Sequence, residues 1–171
     1  MSKKSKQLNK ENSSNITLFP VAFIISVVPL IVFMKVITLS EVEAQNWLGE
    51  NTYLDFFNYY KSQWLIIGTV FALMFFFAYS IIRKFNIEKS FIYIPTAIYA
   101  VLIILSTVAS KNIRIALTGF VDHYEGMIVL LCYLALMMIV YNLVKTESQI
   151  TFLLTAFLLS AAVLGIIGFL E

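Results

Sequence analysis

Charge is scarce in this chain, and so are the residue types that build most metal and redox sites. Lys, Arg, Asp and Glu make up 13% of its 171 residues, where a soluble domain carries about 25%. A single histidine, His123, excludes a bis-histidine haem pair. With Cys132 as the one cysteine, an internal disulfide and a zinc cluster are excluded as well. Cys132 lies inside an apolar run and reads as a small buried hydrophobe. No phosphate-cradling P-loop and no nucleophile elbow occurs. The apolar runs hold no Asp, Glu or Arg near their middles. That counts against an ion-coupled transporter, because a moving ion needs an intramembrane charge to bind. A net charge of +2, not gathered into a stripe, gives no nucleic-acid footprint.

What the chain has in abundance is apolar surface. Hydrophobic residues are 60% of the sequence and the mean hydropathy is +0.87, more than one water-soluble core can hide. Several runs reach the roughly 20 residues a helix needs to cross about 30 Å of hydrocarbon. The expected fold is all-α, a polytopic transmembrane helical bundle of about five spans, near 17–39, 64–82, 91–109, 127–144 and 150–170. Residues 17–171 form one membrane domain on this reading. Residues 1–16 are polar, carry Lys3, Lys4, Lys6 and Lys10, and are expected to be a disordered basic arm in the cytoplasm.

Orientation follows from the cations. Lys3, Lys4, Lys6, Lys10, Arg83, Lys84, Lys89 and Lys145 fall in segments of one parity, and Lys61, Lys111 and Arg114 in those of the other. The richer side is the inner one. The N-terminus is therefore expected inside, with the C-terminus and the 40–63 and 111–126 connectors outside.

The first connector carries a capping-box pattern, Ser40 with Glu43, which predicts a short helix to Leu48 ended by Gly49. Thr52 with Asp55 repeats that pattern before the next span. Tyr53, Phe56, Phe57, Tyr59, Tyr60 and Trp64 then crowd together, with Lys61 beside them. Such residues form an interfacial belt or a platform on which sugars stack. Gly68 and Ala72, four apart, permit close helix approach, and Ala161, Gly165 and Gly168 give the last span a small-residue face. Pro29 falls inside the first span, where it kinks a helix.

The most polar stretch between two apolar runs is Lys111 to Met127. Ile113, Ala116, Leu117 and Phe120 make a helical stripe, with Lys111, Arg114 and Thr118 on the other face. That suits a short helix in the headgroup plane, its cations near phosphates. Gly119 breaks it, and Gly126 starts the next span. Between them stand Asp122, His123, Tyr124 and Glu125. Two carboxylates around an imidazole can hold a cation or raise its pKa. They can equally bond sugar hydroxyls, with Tyr124 as a stacking surface, or simply face water.

The run ALTGFVDHYEGMIVLLCYLALMMIVYNLV resembles the "G…RYEG" region of O-antigen ligase/polymerase-like membrane proteins of Gram-positive bacteria. Asp55 to Lys61, DFFNYYK, and Ile166-Ile167-Gly168 are similar to that family too. The resemblance implies a multi-pass protein of the bacterial plasma membrane in cell-surface polysaccharide assembly. Its relatives transfer a polyprenyl-diphosphate-linked glycan at the outer face, without a cofactor or metal. Gly119, Tyr124, Glu125 and Gly126 match the family motif, and His123 stands where arginine is expected. Histidine lacks the bidentate fork that arginine offers a diphosphate, so Arg114 becomes the nearby source of charge. The substrate-binding candidates are Lys61, Arg114, Asp122, His123, Tyr124 and Glu125, with Gly119 and Gly126 shaping the turn. Family members continue through further spans and a large outer loop with a catalytic Arg and His. The expectation is thus an N-terminal portion with no catalytic residue of its own, inactive alone. A small non-catalytic scaffold or partner subunit, joined to other membrane helices through its small-residue faces, is the alternative. A transporter protomer is less favoured. Membrane lipid is the expected surrounding in each case.

Overall fold

The computed structural model describes residues 17–45, 51–83 and 90–170. The arm expected over 1–16 and the predicted helix end at Leu48 and Gly49 lie outside them. Helices dominate: α1 (Phe19–Val27), α2 (Glu41–Ala44), α3 (Asn58–Arg83), α4 (Tyr93–Val108), α5 (Ile113–Thr118), α6 (Met127–Leu143) and α7 (Glu147–Leu170). Two short strands, β1 (Lys35–Thr38) and β2 (Thr52–Asp55), pair antiparallel. The chain divides into two compact units, residues 1–30, 67–89 and 135–171 in one and 31–66 and 90–134 in the other.

Two helices are long and apolar enough to cross a membrane, Asn58–Ile82 and Glu147–Leu170. Only 22% of the first and 6% of the second is buried over the most apolar stretch. A soluble protein's core helix would be mostly covered, so these side chains call for an apolar solvent. Phe19–Leu30, Tyr93–Val108 and Met127–Leu143 are shorter apolar helices. Hydroxyl and amide groups along the helices close on their own backbone: Thr96 donates to the Ile92 carbonyl, Thr107 to Ile103, Asn142 to Met138 and Thr155 to Thr151. Each bond gives a side-chain donor a partner within its own helix.

The first span differs from its expected form. A continuous helix over 17–39 is not what forms. Pro20 sits in the first turn of α1, where its missing N–H costs nothing. Pro29 then falls in a single 3-10 turn, Val28–Leu30, and the α-helix stops at Val27. Proline there withholds a helical donor and clashes with the preceding turn. The chain continues extended, and Lys35–Thr38, rich in β-branched residues, finds a partner strand in Thr52–Asp55. The second capping box, Thr52 with Asp55, is likewise a strand rather than a cap pair.

Within the first unit, α1 packs along α7. Leu18, Val21, Ala22 and Ile24 are buried, as are Thr69, Ala72 and Phe76 of α3 and Ile139 and Leu143 of α6. Gly68 lies so close to Ile24 that an added Cβ would come 2.8 Å from its Cγ1. The expected close approach is thus made at Gly68, to α1, and Ala72 is buried. At the start of α7, Gln149 Oε1 accepts from the backbone N–H groups of Lys145 (2.7 Å) and Thr146 (3.1 Å), closing the tight turn between α6 and α7. A Cβ added at Gly165 or Gly168 would meet nothing within 4 Å beyond its own helix.

The second unit holds the β-pair, the start of α3, all of α4 and α5, and the first half of α6. It contains every residue of the site described next.

Candidate functional site

The site begins with the β-pair. In its register Lys35 faces Asp55, Val36 faces Leu54, Ile37 faces Tyr53 and Thr38 faces Thr52. Two flanking bonds, Phe33 N–H to the Phe56 carbonyl and Leu39 N–H to the Asn51 carbonyl, extend the ladder at both ends. This places Asp55 where strand becomes helix. Its Oδ1 accepts from the backbone N–H groups of Phe57 (2.9 Å), Asn58 (2.8 Å) and Tyr59 (3.1 Å). Three of the orphan donors at the start of α3 are satisfied by one oxygen, with a negative charge at the positive end of the helix dipole. On the far side of the connector, Glu43 accepts from the N–H (2.9 Å) and hydroxyl of Ser40, realising the expected capping box.

The second component is the turn after α5. Gly119 ends that helix at φ +89°, its N–H bonded to the Ile115 carbonyl at 2.8 Å. Asp122 (φ 81°) and Tyr124 (φ 34°) also adopt the left-handed region. For Asp this is a modest cost, but for a bulky side chain such as Tyr it is strain that the surroundings must hold in place. What holds it is visible. Gly126 is tucked against the backbone of Leu117 and Gly119, and Val121 and Tyr124 are buried. The Tyr124 ring meets the Tyr59 ring edge-on, with centroids 5.6 Å apart.

Asp122 joins the two components. Its Oδ1 accepts from the Tyr53 hydroxyl at 3.0 Å, and Asn58 Nδ2 donates to both its carbonyl and its carboxylate. Lys35 completes the cluster from β1, its Nζ 5.3 Å above the Tyr59 ring. Tyr60 turns its ring edge-on to Phe33 at 5.1 Å. Burial, and the bond to Asp122, raise the pKa of Tyr53. Burial raises that of Tyr124 well above the ordinary range, with the charges of Asp55 and Glu43 acting in the same direction. Both phenols are protonated at neutral pH and act as neutral hydrogen-bonding groups.

Of the six side chains expected to bind substrate, Asp122 and Tyr124 are brought into this cluster. His123, Glu125 and Arg114 are exposed, and their side chains make no hydrogen bond to it. The His123 imidazole has no hydrogen-bond partner among the described residues. Lys61 lies half-buried with its Nζ 5.4 Å above the Phe57 ring, a surface contact. Gly119 and Gly126 interlock across the turn as its two ends. Sequence reasoning missed Lys35, Asn58 and the pairing of Tyr53 with Asp122. It assigned Asp55 to the wrong device. The available signal was Asp three residues ahead of a helical Asn, an N-cap spacing in its own right.

Beside the cluster runs a groove of about 580 Å³. Tyr99, Leu102, Ile103 and Leu130 give it an apolar wall, and Ser106, Ser110 and Glu125 give it polar groups. Such a lining accepts the boundary of an amphiphile better than a fully polar solute. Among the described residues no group of three or more His, Cys, Asp or Glu is placed to hold a metal ion. Compared with known proteins, the chain matches no family model, no curated protein and no solved structure.

Proposed function

We propose that this is a multi-pass protein of the bacterial plasma membrane that binds a polyprenyl-diphosphate-linked glycan at the outer face, as O-antigen ligase/polymerase-like proteins do. The observation that carries the reading is the joining of the 40–63 and 111–126 connectors through Asp122, Tyr53 and Asn58. Both connectors then lie on one side of the membrane, which agrees with the parity the lysine and arginine bias requires. They present aromatic rings, carboxylates and the exposed His123, Glu125 and Arg114 together. That is the mixture that stacks on and bonds to sugar. The groove supplies an apolar track for an isoprenoid chain. In this proposal α3, α4, α6 and α7 cross as helices. The first crossing is mixed: nine α-helical residues, one 3-10 turn and an extended leg have a contour of roughly 30 Å. No residue is assigned a catalytic role, so the protein binds the glycan lipid and transfer belongs to groups elsewhere.

The test is binding of a polyprenyl-diphosphate oligosaccharide to the purified protein in nanodiscs. Saturable binding is expected, weakened about tenfold or more by Ile103→Trp, which fills the groove. His123→Arg, which restores a diphosphate fork, is expected to tighten it several-fold. Absence of saturable binding, or indifference to the groove substitution, would sink the reading.

One observation favours the partner-subunit alternative. Gly165 and Gly168 lie on an exposed α7 with open space against them, as a helix awaiting a neighbour would.

A further inference from the structure

The β-pair has two faces, and the site uses one of them. Side chains alternate between faces along each strand. Lys35, Tyr53 and Asp55 belong to the cluster: Tyr53 bonds Asp122, Lys35 lies over the Tyr59 ring, and Asp55 is buried. Val36, Thr38, Thr52 and Leu54 take the other face, and all four are exposed. The register pairs them across the strands, Thr38 with Thr52 and Val36 with Leu54. Carried two residues further, it brings Met34 opposite Phe56, and the bond from Phe33 N–H to the Phe56 carbonyl shows that the ladder reaches that far. Met34 is 53% exposed, Val36 55%, Leu54 52% and Phe56 45%.

Three rows therefore run along this face: threonine, then aliphatic, then methionine with phenylalanine. Polarity falls in one direction. The apolar end is where β1 is fed by the exposed Val32 and Phe33, and where β2 passes into α3, a helix long and apolar enough to cross a membrane. A patch built for a protein partner has an apolar centre inside a polar rim. Here the polar row stands at one end only, and at the other the apolar surface continues into the segments on either side. Depth is limited from below as well. The free edges of a two-stranded ribbon carry unpaired N–H and C=O groups, which bar it from the hydrocarbon interior. The headgroup boundary, where water still reaches those edges, meets both demands.

We infer that the face of the β-pair turned away from the cluster is a lipid-contact surface, resting on the headgroup boundary with Met34 and Phe56 deepest, Val36 and Leu54 above them and the threonine row in water. The ribbon then sets the height at which Tyr53, on its opposite face, meets Asp122. The occupant of the face is the lipid surface itself, not a protein. This inference rests on the membrane reading and not on the glycan one, since it uses no residue of the groove or of the 119–126 turn.

The experiment is depth-resolved fluorescence quenching of the full chain in nanodiscs, with the buried Cys132 replaced by alanine. An environment-sensitive fluorophore is attached to one cysteine at a time: Thr38→Cys, Leu54→Cys, Phe56→Cys and, in the middle of α3, Met74→Cys. All four replace exposed side chains, so the fold is kept. Quenching by a lipid-borne nitroxide should rise from position 38 to 54 to 56. Quenching by iodide, an anion that apolar surroundings exclude, should fall about fivefold or more over the same series. Iodide quenching at 54 and 56 as strong as at 38 overturns the inference. So does shielding of 54 from both quenchers, which would mean that protein, such as a second copy of the chain, covers the ribbon. Met74 separates this inference from the membrane reading beneath it. If the nitroxide reaches 74 and iodide does not, while iodide quenches 54 and 56, the membrane reading stands and the ribbon contact alone falls. Iodide quenching at 74 removes both.

Discussion

Gly119→Ala is expected to destabilise the protein by about 3 kcal/mol, the largest effect of an added methyl at any of the described glycines. Two costs combine. At φ +89° an L side chain is strained wherever it is placed, a penalty of about 1–2 kcal/mol. The new Cβ would also come 2.5 Å from Tyr124 Cα and from the Glu125 nitrogen. These are backbone atoms, which cannot rotate aside as a side chain can, and overpacking of this kind costs about 1–3 kcal/mol. Gly126→Ala meets the second cost alone, against the backbone of Leu117 and Gly119. Gly68→Ala meets only the flexible Ile24 side chain and should cost less than either. Gly165→Ala meets nothing within 4 Å. In mid-helix it should be neutral or stabilising by about 0.5–1 kcal/mol. The order Gly119, Gly126, Gly68, Gly165, read from unfolding midpoints in detergent, is the check. A Gly119 variant as stable as the Gly165 variant would mean that the 119–126 turn is not packed as described.

Asp55→Ala is expected to cost about 2 kcal/mol, at the upper end for a helix cap. It strands three N–H groups at once and removes a charge from the positive end of α3. The loss of an unpartnered Oδ2 offsets part of this, so a larger figure is not expected. Asp55→Asn retains an acceptor for the same donors and should lose less than half as much. Hydrogen exchange distinguishes a lost cap from a general loosening. In Asp55→Ala the amides of Phe57, Asn58 and Tyr59 should exchange faster, while those in the middle of α3 hold. Uniform acceleration along α3 would argue that Asp55 acts through something other than the cap.

Much of this could be read from the sequence, and for a physical reason. Apolar runs of helical length leave the backbone little choice but to bond to itself in a low-dielectric setting. Hence helices α3, α4, α6 and α7 lie where long apolar runs predict helix, two of them long and apolar enough to cross a membrane, and α5 occupies the stripe from Ile113 onward. Gly119 and Gly126 announced the turn, the first because its φ of +89° disfavours a side chain and the second because the backbone of Leu117 and Gly119 leaves no room for one. The β-pair was hidden. Residues 17–39 form one apolar run in composition, and the local signal that divides it is Pro29. A strand gains its stability from a partner, and that partner, Thr52–Asp55, lies well along the chain. The bond between Tyr53 and Asp122 spans 69 residues. No periodicity or spacing rule reaches that far, so the aromatic connector and the acidic turn were read as two places when they are one.

That joining is the centre of the account, and its most direct test is the side of the membrane on which each piece is found. Single cysteines at Phe57, His123 and Lys145, all exposed, would be introduced with the buried Cys132 replaced by alanine. Intact cells would then be treated with a membrane-impermeant maleimide. Positions 57 and 123 are expected to be labelled from outside, and 145 only after the cells are opened. Labelling of 57 and 123 from opposite sides would contradict it, because residues that far apart could not share Asp122, Tyr53 and Asn58.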